Sequence, residues 1–261
     1  MGVIVATAPP APVTLRREER PLQSVLQLPL PLEMLGVIVG AMCGALTACD
    51  RKLDIIGGVG LGMICALGGG LMRDVIMQVG SVYMLDSPLA IPVATGTALL
   101  VYFFHSPFAR RPQMVEWLDI ISVALFAAAG ADKAMVNGLE LPAVLLMGVL
   151  TGNGGGFMRD IVLGDEPKIF KRANWYAICS LGGSLVYWML ALVVGIDKGI
   201  AGTACVIVTI AMRRASLRYD LKSPADVDFT PKVKESLETI RRVRTRTRPN
   251  WRKSRPRKLR K

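Results

Sequence analysis

Between residues 32 and 212 the chain alternates long apolar runs with short polar joints. Seven runs stand out, at 32–49, 55–79, 88–104, 117–131, 141–164, 173–194 and 199–212. Crossing the hydrocarbon of a bilayer takes about 20 helical residues, with a range of 17 to 25. The pattern therefore predicts an all-α membrane protein with seven transmembrane helices. The fourth and seventh runs fall short of that length. The joints are too brief to hold a soluble domain.

Two of the runs contain the same phrase. Gly68-Gly69-Gly70 is followed by Arg73-Asp74, and Gly154-Gly155-Gly156 by Arg159-Asp160. The offset is 86 residues (154 − 68) throughout, the mark of an internal duplication. The unit is three runs long. Three is odd, so the second unit enters the membrane in the opposite direction, giving two inverted three-helix repeats plus one further helix. The expected organisation is a flexible, proline-rich leader at 1–30, repeats at 31–108 and 109–195, a seventh helix at 196–214 and a basic tail at 215–261.

Each glycine costs a helix about 1 kcal/mol relative to Ala, so three in succession predict that helices 2 and 5 of the seven are broken at Gly-Gly-Gly. Breaks at membrane depth expose carbonyls that can replace the hydration shell of a cation. Glycines also let two backbones approach closely. Thr151 and Asn153 add polar groups just before the second triplet. An arginine in the membrane costs at least about 2.5–3.5 kcal/mol and must face the bundle interior and find a partner. The opposed directions of the repeats put Arg73 and Arg159 on opposite sides of the midplane. Asp74 and Asp160, as sequence neighbours of the arginines, are not expected to share their helix face; a place in the first turn of a half-helix fits a carboxylate. The bland alternative is that Arg and Asp merely staple adjacent helices. Lys133, at the end of the fourth run, is a candidate pore-mouth charge, while Asp50, Arg51, Lys52, Asp54 and Asp132 read as interfacial anchors.

Composition fits this picture: 52% of the 261 residues are hydrophobic and the mean hydropathy is +0.42. The net charge of +12 belongs to the tail, which from Arg213 holds 18 of the 32 Lys/Arg and only 5 of the 20 Asp/Glu. A solvated tail and attraction to anionic lipid are the leading readings; nucleic acid is disfavoured because Trp251 is the lone aromatic of the arginine-rich segment. Cys43, Cys49, Cys65, Cys179 and Cys205 lie in apolar runs without paired spacing and read as small core residues. His105, the sole histidine, reads as a loop or interfacial residue. No metal site or cofactor is expected, and no HExxH, GxSxG or Walker A phrase suggests an enzyme. Basic residues of the short loops (Arg51 and Lys52; Arg110 and Arg111; Lys168, Lys171 and Arg172; Arg213 and Arg214) share one side with the tail. That places the C-terminus in the cytoplasm and the N-terminus outside the plasma membrane.

Two copies of Gly-Gly-Gly-x-x-Arg-Asp, each in the second helix of a three-helix unit, resemble the bacterial trimeric intracellular cation (TRIC) channel family, whose domain also goes by the name of a glycine-transporter-like domain. The resemblance covers residues 32–212. It implies seven helices in a 3+3+1 arrangement, a homotrimer, and one monovalent-cation, potassium-permeable pore per protomer. The pore residues it implies are Gly68, Gly69, Gly70, Arg73, Asp74, Gly154, Gly155, Gly156, Arg159 and Asp160. The lysine-containing lipid-site motif of the eukaryotic relatives has no match here. A carrier for a small zwitterion such as glycine is the competing reading, and a non-transporting membrane anchor the third.

Overall fold

The computed structural model describes residues 30–105, 113–170 and 175–221. The expected leader and most of the basic tail lie outside these residues. The described part is helical: α1 (Leu30–Asp50), α2 (Ile55–Met77), a one-turn α3 (Tyr83–Asp86), α4 (Ala90–Phe103), α5 (Gln113–Val136), α6 (Leu141–Val162), α7 (Tyr176–Trp188, continuing as π-helix through Met189–Val194) and α8 (Lys198–Arg218). Six of these helices are long and apolar enough to cross a membrane. Large side chains left exposed, such as Ile56, Leu100, Phe103, Leu192 and Ile207, are apolar, as a lipid-facing surface requires.

The duplication is visible in the element boundaries. α2 and α6 begin at Ile55 and Leu141, and α4 and α7 at Ala90 and Tyr176, each pair 86 residues apart (141 − 55 and 176 − 90). Both central helices end the same way. Gln78 (φ 49°) and Gly164 (φ 71°), again 86 apart, take the left-handed conformation that closes a helix C-terminus. At the entrance to α2 the Asp54 carboxylate accepts the Gly57 N–H at 2.8 Å.

Within each unit α1 packs on α2 and α4, and α5 on α6 and α7; α2 packs on α6 and joins the units. The seventh span, α8, covers α5 and α7. Small residues make the seams. Ala41, Ala45, Ala127, Ala128 and Ala131 are fully buried, and Gly44 and Gly130 lie so close to the backbones at Leu61 and Met147 that a methyl group there would stand 2.5–2.6 Å from a carbonyl oxygen, or nearer the Thr151 hydroxyl at 2.5 Å. Such close approach supplies the van der Waals contact that holds helices together in lipid.

Two expectations change. The fourth and seventh spans are not short: α5 has 24 residues and α8 has 21. Their apolar runs end at charged residues that are themselves inside the helices, because Asp132 is buried in an ion pair and Arg213 and Arg214 stack on Tyr176 and Trp117. The short helix is α4, with 14 residues. Secondly, α2 and α6 are not broken at their glycines; each runs as α-helix through its triplet. The propensity cost of three glycines is offset by the contact they permit between the two helices.

A glycine crossing between two buried charge clusters

α2 and α6 cross at their glycine triplets. A Cβ on Gly69 would strike the carbonyl oxygen of Thr151, and one on Gly155 the carbonyl oxygen of Cys65. Thr151 and Cys65 are themselves 86 residues apart, so the two helices exchange equivalent contacts. Gly69 meets a residue four before Gly155, and Gly155 one four before Gly69, so the helices are antiparallel. The outer members of the triplets also pack closely: Cβ atoms on Gly68 and Gly154 would lie 2.7 Å from the Met158 sulfur and 2.9 Å from the Gly69 Cα. Gly70 and Gly156 differ. Their nearest such neighbours are the Arg73 guanidinium at 4.0 Å and the Tyr176 hydroxyl at 3.5 Å.

Arg73 stands four residues beyond Gly69, or about 6 Å along the helix, and Arg159 stands four beyond Gly155. Antiparallel packing sends them to opposite sides of the crossing. Both side chains are buried, each with 3% exposure, and both bend onto the next residue. Arg73 Nε donates to Asp74 Oδ1 at 2.7 Å, and Arg159 Nε and Nη2 donate to Asp160 Oδ1 at 3.0 and 2.9 Å. Adjacency in sequence therefore did not keep Arg and Asp apart; the long arginine stem reaches its neighbour. The second oxygen of each aspartate holds the following loop: Asp74 Oδ2 accepts the Tyr83 N–H at 2.8 Å, and Asp160 Oδ2 accepts the Lys168 N–H at 3.1 Å.

Around this shared frame the two ends diverge. On the Arg73 side, Lys133 Nζ also donates to Asp74 Oδ1, at 2.7 Å. A cavity of about 520 Å³ opens here, lined by Glu33, Arg73, Tyr83, Asp86, Asp132 and Lys133 among others. Asp132 is held by the Tyr187 hydroxyl at 2.7 Å and Lys198 at 3.4 Å. Burial, and after it the Glu33 carboxylate, pushes the Tyr83 phenol up to about 12, so it stays neutral at physiological pH. On the Arg159 side the cluster is closed. Arg159 Nη1 donates to Asp119 Oδ1 at 3.0 Å and lies 3.5 Å from Cys43 Sγ, and the Tyr176 hydroxyl donates to Asp119 Oδ2 at 2.6 Å. The cavity beside it, lined by Cys43, Cys65, Asp119, Gly155, Gly156 and Arg159, is about 10 Å³, room for one water at most.

The sequence-singled residues thus divide. Gly68, Gly69, Gly154 and Gly155 make the crossing; Gly70, Arg73, Asp74 and Lys133 lie on one side of it, and Gly156, Arg159 and Asp160 on the other. Thr151 and Asn153 point elsewhere. Thr151 Oγ1 donates to the Met147 carbonyl at 2.6 Å against α5, and Asn153 Nδ2 donates to Ser180 Oγ of α7 at 2.8 Å. Neither lines the open or the small cavity. Asp119 and Glu33, which the motif reading missed, sit at equivalent positions of the repeat (119 − 33 = 86), a signal present in the sequence. The cysteines are free; Cys43, Cys65, Cys179 and Cys205 are buried, as expected of core residues, and Cys49 is half-buried.

Comparison with known proteins follows the same duplication. The glycine transporter family model matches twice, at residues 30–106 and 116–192. The UPF0126 inner membrane protein YadS of Escherichia coli is 31% identical over 195 residues, which span 74% of this chain and 93% of that protein. A TRIC cation channel structure superimposes with a TM-score of 0.68 at 25% identity, covering 76% of this chain and 97% of its own. The TRIC trimeric intracellular cation channel orthologue of Rhodobacter sphaeroides gives 0.67 at 31% identity, covering 73% and 97%. With its paired helices, doubled motif and buried charges, this chain is a multi-pass membrane protein that belongs to the glycine transporter (UPF0126) family and shares the fold of the TRIC channels.

Proposed function

We propose that the chain is a cation channel of the TRIC type, with a monovalent, potassium-permeable pore in each protomer of a homotrimer. One observation carries the reading: a single protomer holds two buried charge clusters in line, either side of a glycine crossing, one open to a large cavity and one closed. Similarity to solved TRIC cation channels supports the class of cargo. The open cavity suits a cation. Asp74 engages both Arg73 and Lys133, while Glu33 and Asp86 line the cavity as further carboxylates.

The loop charges support an orientation with the Arg73 side outside and the Arg159 side in the cytoplasm, with the C-terminal tail on the Arg159 side. Conduction then requires the Arg159 cluster to open. Gly68, Gly69, Gly154 and Gly155 act as the pivot between the two ends, and Arg73, Asp74, Lys133, Arg159 and Asp160 border the path. The basic tail contacts anionic lipid at the cytoplasmic face.

One feature favours a second reading. The open cavity presents both signs, with Glu33 and Lys133 across one space, and it faces a closed opposite end. That arrangement also suits a carrier for a small zwitterion such as glycine. Planar-bilayer recording in potassium gradients separates the two: a channel passes current without added solute, and a carrier gives saturable solute uptake instead.

A further inference from the structure

The duplication allows each end of the molecule to be read against the other. At the open end, Val79 and Asn137 line the cavity. Val79 follows the left-handed cap of α2, and Asn137 follows the end of α5, where its amide donates back to the Lys133 carbonyl at 2.7 Å. Their equivalents at the closed end, 86 residues away, are Asp165 (79 + 86) and Arg51 (137 − 86). Arg51 Nη2 and Asp165 Oδ2 form a salt bridge. The bridge joins the end of α1 to the loop after α6 across the mouth, where the open end has a valine and an amide that cannot pair by charge.

The same loop is fastened once more. Lys168 Nζ approaches Asp119 Oδ2 at 3.9 Å, and its equivalent at the open end is Val82 (168 − 86). The backbone bond from each Asp of the motif to its loop is common to both ends. The open end has ion pairs too, Lys133–Asp74 and Lys198–Asp132, but they join helices. Among the described residues, at the closed end alone do side-chain ion pairs fasten the loop after the motif helix.

We propose that Arg51 and Asp165 form an electrostatic latch that holds the Arg159 mouth shut, and that its release admits water and ions to the Arg159–Asp119 cluster. The passage of ions rests on the channel reading above; the latch itself does not. The side chains are 49% and 37% exposed. A pair this wet is weak and easily exchanged, as a latch that opens under ordinary thermal energy must be.

Cys43 reports the state of the mouth without requiring conduction. The residue is 2% exposed and lines the small cavity beside Arg159, so modification of its thiol needs the mouth to open. The experiment compares wild type with Arg51→Asp, Asp165→Arg and the double exchange, using the full chain in liposomes. A membrane-impermeant charged methanethiosulfonate is applied to the Arg159 face, and labelling of Cys43 is resolved by peptide mass. Each single reversal is expected to speed labelling of Cys43 by about five-fold, and the double exchange to return it towards the wild-type rate. Arg51→Gln and Asp165→Asn, which remove the attraction without adding repulsion, serve should a reversal fail to fold. Equal rates in all variants overturn the latch, as does a double exchange that labels as fast as the singles. Single-channel recording of the same proteins keeps the two proposals apart. Labelling that follows the pattern in protein that never conducts leaves the latch standing and removes the channel reading. Conduction with unchanged labelling does the reverse.

Discussion

Gly69 and Gly155 each place a bare Cα against the other's helix, at the carbonyls of Thr151 and Cys65. The hydrogen standing where a side chain would begin points at a carbonyl oxygen, the geometry of a Cα–H···O contact. A methyl group at either position collides with backbone, which cannot turn aside as a side chain can. Gly69→Ala and Gly155→Ala are therefore expected to destabilise the protein by about 1–3 kcal/mol, despite the helix propensity that Ala adds. Gly70→Ala meets nothing nearer than 4.0 Å and is expected to be neutral or stabilising by up to about 1 kcal/mol. Thermal unfolding in detergent, followed by fluorescence-detected size exclusion, ranks the three. A Gly70→Ala variant as unstable as Gly69→Ala removes the packing explanation.

Asp119 offsets the buried charge of Arg159 together with Asp160, and Tyr176 completes its second oxygen. Asp119→Ala is expected to cost about 3–5 kcal/mol by leaving a buried cation undercompensated. Tyr176→Phe, which removes one donor and keeps the ring under Arg213, is expected to cost about 1–3 kcal/mol. Yield of assembled protein and its melting temperature measure both. An Asp119→Ala protein as stable as wild type would mean that Arg159 has enough partners without it.

The periodicity of apolar runs located each of the six long apolar helices among the described residues, because a bilayer imposes a length that sequence displays directly. It misjudged α5 and α8 because Asp132, Arg213 and Arg214 look like ends when their partners are distant in sequence. The doubled glycine phrase marked the crossing correctly, yet propensity alone read it as a break. Whether three glycines break a helix depends on what packs against them, and that partner is the other triplet, 86 residues away. Pairing of Arg73 with Asp74 was missed because face geometry considers Cβ directions and not the reach of a long side chain. Roles for Thr151 and Asn153 could not be separated from the motif beside them without knowing that they face α5 and α7.

Lys133 borders the open cavity with its side chain 25% exposed and bonded to Asp74. Lys133→Gln removes one positive charge there. One charge at 10 Å in water is worth about 0.4 kcal/mol, or about two-fold in local cation concentration. Unitary potassium current at 0.01 M salt, where the screening length is about 30 Å, is expected to rise by up to that factor, and the gain to vanish at 1 M, where it falls to about 3 Å. A fall in current at both concentrations would show that Lys133 holds the path open structurally.

Helix α8 ends at Arg218, and the chain after it still contributes the Leu221 carbonyl, which accepts the Trp175 N–H at 3.3 Å. Truncation after Leu221 keeps that bond and every described helix. Insertion and assembly are expected to match the full chain, measured by membrane yield and size exclusion. Failure to assemble would make the basic tail a structural part.

Reporter fusions test the membrane orientation. A reporter after Lys261 is expected to be cytoplasmic and one before residue 30 external, as an odd number of spans requires. Both reporters on one side would remove a span and with it the opposed directions of the two units.

The most direct test of cation conduction is a planar-bilayer recording of purified protein in a potassium chloride gradient with no other solute. Discrete single-channel openings, with current reversing near the equilibrium potential of potassium, are the expected result. Silence from protein shown to be assembled, together with saturable glycine uptake in the same preparation, contradicts the channel and establishes the carrier in its place.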